Sequence, residues 1–158
     1  MKRYLLFLLT PVLLLGPAAG PAFAKVRVAC IGDSITYGMT LEDRLTESYP
    51  ARLQQMLGEG YEVANFGKNG ATLLRRGHRP YMEQEEFRSA LAFGADILVF
   101  HLGVNDTDPR NWPNYRDAFV ADYLALIDSL KGGRDDVRVL VALTTPITPG
   151  HPRFLSGT

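Results

Sequence analysis

The sequence predicts an α/β protein, a three-layer αβα sandwich around a parallel sheet. Three observations predict it. Strand-like and helix-like stretches alternate along the chain. The strand-like stretches are near-continuous apolar runs, as in parallel strands buried on both faces. Each of the first three is followed directly by a Gly-containing loop rich in Ser, Asn and Asp, where open parallel sheets place their ligands.

The elements follow in order. Residues 26–31 form a short apolar run closed by Gly32, which reads as a buried strand. Residues 49–57 carry Leu53, Met56 and Leu57 at helical spacing, with Pro50 suited to a first turn and Gly58 as the stop. Residues 61–66 are a second strand, closed by Gly67. Residues 83–93 form a helix ended by Gly94, and residues 97–102 a third strand ended by Gly103. Residues 115–130 form the longest helix, with Phe119, Tyr123, Leu126, Ile127 and Leu130 on one stripe. Gly132 and Gly133 end it. Residues 137–143 are a fourth strand, before the Pro-rich loop 144–152. Right-handed crossovers between such strands put helices on both faces of the sheet. No repeat or low-complexity segment interrupts the chain, and no interior domain boundary is visible.

Residues 1–24 read as a signal peptide. Lys2 and Arg3 form a positive start, residues 4–15 are largely apolar, and Ala22-Phe23-Ala24 offers a small-x-small cleavage site. The apolar stretch is shorter than the roughly 20 residues a membrane-spanning helix needs. The expectation is a secreted or periplasmic domain over residues 25–158, with no stable membrane span after cleavage. Lys+Arg and Asp+Glu both number 17, so the clustered basic excess of a nucleic-acid binder is lacking. The pair Arg75-Arg76 reads as solvated surface. The single cysteine, Cys30, excludes an internal disulfide and is expected to be a small buried hydrophobe. No His, Cys or carboxylate pair shows metal-ligand spacing, and no cofactor is implied. The Gly-x-Gly-x-x-Gly loop of a nucleotide binder is missing after the first strand.

The chemistry collects at the strand ends. Gly32-Asp33-Ser34-Ile35-Thr36-Tyr37-Gly38 follows the first strand, Asn65-Phe66-Gly67-Lys68-Asn69-Gly70 closes the second, and Gly103-Val104-Asn105-Asp106 follows the third. Three loops thus bring Ser, Gly and Asn to one rim, which suits acyl transfer. A hydroxyl at the start of a helix has backbone donors beside it and a favourable dipole. A tetrahedral intermediate needs two or three preorganised donors at its oxyanion. The Ser34 N–H, the Gly70 N–H and the Asn105 side-chain amide are the candidates. Glycine at 70 leaves room for a substrate to reach the backbone.

These three segments, in this order, resemble the first three sequence blocks of the SGNH (GDSL-like) hydrolase family. The resemblance covers nearly all of residues 26–145. It implies a flavodoxin-like sheet, Ser34 as nucleophile, Gly70 and Asn105 completing the oxyanion hole, and Asp33 and Asp106 as structural supports of the loops. The segments Asn105 to Trp112 and Gly70 to Leu74 resemble, more softly, secreted sialate O-acetylesterases and carbohydrate acetylesterases. An enzyme that removes O-acetyl groups from a glycan or small-molecule ester is the reading this implies. A lysophospholipase or thioesterase of the same family is the alternative.

The family's fourth block, an Asp-x-x-His that supplies the general base, has no counterpart. Arg75, Leu98 and Thr148 stand three residues before His78, His101 and His151. The expectation is a C-terminally incomplete domain that lacks the last strand and helix, with an exposed sheet edge and marginal stability. A second class of function follows from the same gap: a binding protein that keeps the fold and pocket without catalysis. His101 is expected to be a hydrogen-bonded core or rim residue, and His151 is a substitute base only if it reaches Ser34. Tyr81, Trp112 and Tyr115 are read as packing residues first and as pocket lining second.

Overall fold

The computed structural model describes residues 24–154. The signal-peptide reading of residues 1–24 falls, apart from Ala24, outside the described residues. Four strands form one sheet: β1 (Val26–Gly32), β2 (Tyr61–Gly67), β3 (Ile97–His101) and β4 (Arg138–Val141). The strand order is β2-β1-β3-β4, and every pairing is parallel. This is the flavodoxin-like order, in which the chain leaves β1 to one side and returns on the other. The switch point therefore lies between the ends of β1 and β3, which Gly32 and His101 pair across.

The helices are α1 (Ser34–Tyr37), α2 (Arg44–Glu47), α3 (Tyr49–Leu57), α4 (Glu85–Phe93), α5 (Trp112–Tyr115) and α6 (Phe119–Lys131). Successive β1 residues point to opposite faces, and Val28, Ala29, Cys30 and Ile31 are all buried. Ala29 and Ile31 join Leu98 and Phe100 in a core with Phe87 and Ala90 of α4 and Leu126 and Leu130 of α6. Each Ile, Leu and Phe side chain among them contributes about 1.5–3 kcal/mol on leaving water. On the other face the Cys30 thiol meets Tyr49 of α3, and burial pushes the thiol up to about 12. That is the inert, buried cysteine expected from sequence.

Three elements differ clearly from expectation, the first being β4, which spans Arg138–Val141 where residues 137–143 are expected. A 3-10 turn, Tyr81–Glu83, precedes α4, so the α-helix begins at Glu85. The expected 115–130 helix begins at Phe119, after α5 and a second 3-10 turn, Arg116–Ala118. Trp112 of α5 packs against Phe119 at the start of α6, with ring centroids 5.4 Å apart. The stripe itself holds: Leu126 and Leu130 are buried, and Phe119, Tyr123 and Ile127 pack against them. β4 is the outer strand on its side, and Leu140 and Val141 are each 52% exposed.

Candidate active site

β1 delivers its chain into a tight corner. Asp33 caps α1, with its Oδ1 accepting the Ile35 N–H at 2.9 Å, and Ser34 is the first helical residue. A first helical residue has an amide without an intrahelical acceptor, so the Ser34 N–H is available beside its own hydroxyl. α1 is only four residues long. Individual amides, rather than a summed helix dipole, therefore supply the local positive field.

The second loop is locked to the first. Lys68 N–H donates to Gly32 O at 2.9 Å, and Ala71 N–H donates to Lys68 O at 3.1 Å. The Gly70 N–H takes no part in these bonds. Gly70 has φ 74°, a left-handed conformation that any other L-residue holds at a cost. Residues 72–81 then double back: Thr72 N–H donates to Arg79 O and Tyr81 N–H donates to Thr72 O, at 2.8 and 2.9 Å.

The third loop, the 3-10 turn Val104–Thr107, is tied to the second by two buried side chains. Asn105 Nδ2 donates to Ala71 O at 3.0 Å, which spends one of its two hydrogens and fixes the plane of the amide. Asp106 accepts Leu73 N–H at Oδ2 and Leu74 N–H at Oδ1, at 2.9 and 2.7 Å. Fully buried Asn111 adds a further clamp: its Nδ2 donates to Asn105 O, and its Oδ1 accepts the His78 N–H. Those two bonds fix the amide's orientation, so Nδ2 also donates to His78 Nδ1, 2.9 Å away.

Ser34, Gly70 and Asn105 line one cavity of 660 Å³. Ile35, Met39, Val104 and Phe154 supply its apolar wall, and His78, Arg79, Arg110 and Arg153 its polar one. Behind Arg110 lies Asp108, bound by both guanidinium Nε and Nη2 at 2.9 and 2.8 Å. The hydrogen bonds from Arg110 hold the Asp108 carboxyl well below the usual carboxylate range.

The sequence expectations fare unequally here. The three loop tips do meet. His101 and His151 do not line the cavity; His151 Nδ1 instead accepts the Arg153 and Phe154 N–H groups. His101 Nδ1 is buried without a partner among the described residues, against the expected hydrogen bond. Tyr81 is buried and donates its hydroxyl to Phe66 O at 2.7 Å, Trp112 packs on Phe119, and Tyr115 lies under the Arg76 guanidinium. None of these aromatics lines the cavity. Met39, His78, Arg79, Arg110, Arg153 and Phe154 are the lining residues that the sequence reading missed. His78 and Arg79 reach the site because residues 72–81 reverse, which leaves no periodic signal, whereas Arg110 is held there by Asp108.

Burial raises the carboxyls of both Asp33 and Asp106, the latter to about 6 against an ordinary 3.8. The Leu74 and Leu73 amides oppose this for Asp106 without overcoming it. A raised folded value means the native chain binds a proton that the unfolded chain releases. The contribution of Asp106 to stability is therefore greatest below about pH 4 and declines as pH rises to about 6. Urea unfolding of the chain and of Asp106→Asn should reveal this. The stability difference, native chain minus variant, should fall by about 2 kcal/mol between pH 4 and 7. A difference that is flat with pH refutes the assignment.

A parallel sheet of this order, with Ser, Gly and Asn from three successive strand-end loops around one cavity, defines the SGNH-hydrolase fold class. Comparison with known proteins agrees. The chain belongs to the GDSL-like lipase/acylhydrolase family, whose profile matches residues 30–157. It is 45% identical over 111 residues to an acetylxylan esterase of Xylanibacter ruminicola, covering 70% of this chain and 23% of that protein. The chain thus spans less than a quarter of that relative's length. Two solved structures share the fold. Est24, a carbohydrate acetylesterase from Sinorhizobium meliloti, superposes with a TM-score of 0.58 at 22% identity, over 79% of this chain and 66% of that one. The native M. smegmatis aryl esterase gives 0.58 at 24% identity, over 82% and 68%.

Proposed function

We propose that this chain carries the nucleophile and oxyanion hole of a serine ester hydrolase acting on O-acetyl or other short acyl esters of carbohydrate. The observation that carries the reading is the convergence of Ser34, Gly70 and Asn105 on one cavity. In this mechanism the Ser34 Oγ bonds to the ester carbonyl carbon as its proton passes to a general base, the sugar alcohol leaves carrying that proton, and water then releases the acyl group from Ser34 as the free acid. The oxyanion accepts hydrogen bonds from the Ser34 and Gly70 amides and from the second hydrogen of Asn105 Nδ2. All three donors are fixed before substrate arrives, so little reorganisation is needed at the transition state. Asp33 and Asp106 are supports: one caps the nucleophile's helix, and the other ties the Gly70 and Asn105 loops together. The acetylxylan esterase and carbohydrate acetylesterase relatives support a glycan ester as substrate, and the apolar wall of Ile35 and Met39 suits a small acyl group. As an exported protein, the chain would comprise the domain 25–158 after removal of residues 1–24.

The test is treatment of the full chain with a serine-directed phosphonate, followed by peptide mapping. Modification of Ser34 is the expected result, and label at another residue overturns the reading. One observation favours the second reading, a binding protein: His78 is the only described histidine lining the cavity, and an amide, not a carboxylate, holds its Nδ1. Such a protein binds the ester and leaves Ser34 unmodified.

Asn105→Ala should lower kcat roughly 10²–10³-fold with a smaller effect on KM. It also leaves Ala71 O without its donor, so the melt should fall with a stability loss of about 1–3 kcal/mol. Steady-state kinetics of folded variant at saturating substrate separates the two. An unchanged kcat removes Asn105 from the oxyanion hole.

A further inference from the structure

The cavity's charge is one-sided. Arg79, Arg110 and Arg153 line it, and no Asp or Glu among the described residues does. Among the described residues Asp108 is the one carboxylate that meets these arginines, and it is 4% exposed. Its charge is shared between Arg110 and, at 3.3 Å, Arg153. Arg79 has only a neutral acceptor, Asn69 O, at 2.8 Å from its Nη1. Three guanidinium groups thus face one recessed carboxylate, which leaves the cavity wall cationic. The placement of Arg79 is specific: its Nη1 lies 3.5 Å from the point where a Cβ on Gly70 would stand. The bond to Asn69 O anchors the guanidinium beside Gly70, and no other hydrogen bond among the described residues engages the Arg79 side chain. Ile35 and Met39 give the same cavity an apolar lining beside Ser34.

From this division we infer an anion subsite on the arginine wall that selects esters whose sugar bears a carboxylate, with Arg79 as its principal contact. The inference rests on the esterase reading above and extends it to substrate class. A planar guanidinium accepts a carboxylate in a two-pronged geometry. The acyl group lies toward Ile35 and Met39, and the acidic sugar lies across the Gly70 side of the cavity. Arg110 and Arg153, partly neutralised by Asp108, add long-range attraction more than direct contact.

Calorimetric titration of the full chain tests this with two ligands, a neutral O-acetylated xylo-oligosaccharide and its counterpart bearing a uronic acid. The acidic ligand should bind about fivefold tighter at low salt, the size expected of an exposed charge-assisted contact. The gap should close toward 1 M salt, where the screening length is only about 3 Å. Arg79→Gln should narrow the gap, and Arg79→Lys should keep part of it, since it retains charge without the planar fork. Arg79 is exposed, so both variants should melt as the parent does. Equal affinity for the two ligands at low salt overturns the subsite, as does a gap untouched by Arg79→Gln. The two readings fail separately. An acid preference without Ser34 labelling keeps the subsite and removes the esterase, whereas labelling without acid preference does the reverse.

Discussion

Hydrolysis of p-nitrophenyl acetate by the chain is expected to fall to the buffer background when Ser34 becomes alanine, because the covalent step then has no nucleophile. Ser34 is half-buried at the start of α1. Its hydroxyl is not the helix cap; Asp33 performs that task through Oδ1. The variant should therefore melt within about 0.5 kcal/mol of the parent, as surface substitutions away from caps and cores do. Loss of rate without loss of stability is what separates a nucleophile from a structural serine. Had Ser34 been a cap, stability would fall by about 1 kcal/mol and the rate would follow folding. Parallel rate assays and thermal melts of Ser34→Ala and Asp33→Ala discriminate. A Ser34→Ala variant with rate near the parent's ends the esterase reading.

The largest expected effect on the fold comes from Gly67→Ala at the end of β2. A Cβ there would run into the Tyr37 backbone: its amide nitrogen, and its Cα at 2.6 Å. The obstruction is main chain, so no rotamer change relieves it. α1 is also fastened to this strand from the other direction, since Asn65 Nδ2 donates to Thr36 O at 2.8 Å and Asn65 Oδ1 accepts the Gly67 N–H at 2.9 Å. The added methyl must push α1 away from the sheet and break those bonds. Overpacking costs about 1–3 kcal/mol, and each buried polar group left unpaired costs about as much again. A loss of about 4 kcal/mol or more in urea unfolding is expected. Because α1 begins with Ser34, any folded fraction should also lose activity. A variant of normal stability and rate contradicts the packing described here.

The two glycines show what kind of information a sequence carries. Gly70 was legible as a site residue because it ends a loop between two readable elements and faces a hydroxyl and an amide at neighbouring strand ends. Gly67 was legible only as a strand stop; its close approach to Tyr37 belongs to residues thirty apart. Asp106 was legible as a support for the loops, and its two bonds to Leu73 and Leu74 make it one. Asn111 was not, because its three bonds join His78 to Asn105 across a reversal of the chain. The helix start at Phe119 escaped for a similar reason, since the apolar stripe keeps its phase and carries no mark of the Trp112 ring packed on Phe119.

What the sequence determined by itself was the parallel α/β sheet, its buried strands, and the arrival of Ser34, Gly70 and Asn105 at strand ends. Apolar runs, glycine stops and strand-end chemistry are local signals, and parallel connection rules leave few ways to assemble them. The tertiary structure alone decided which other side chains share that cavity. It brought His78, Arg79 and Arg110 to the wall and kept Tyr81, Trp112, His101 and His151 out of it. The reason is physical: a wall is made by contacts between residues distant in sequence, and no periodicity within one segment encodes its neighbour across the rim.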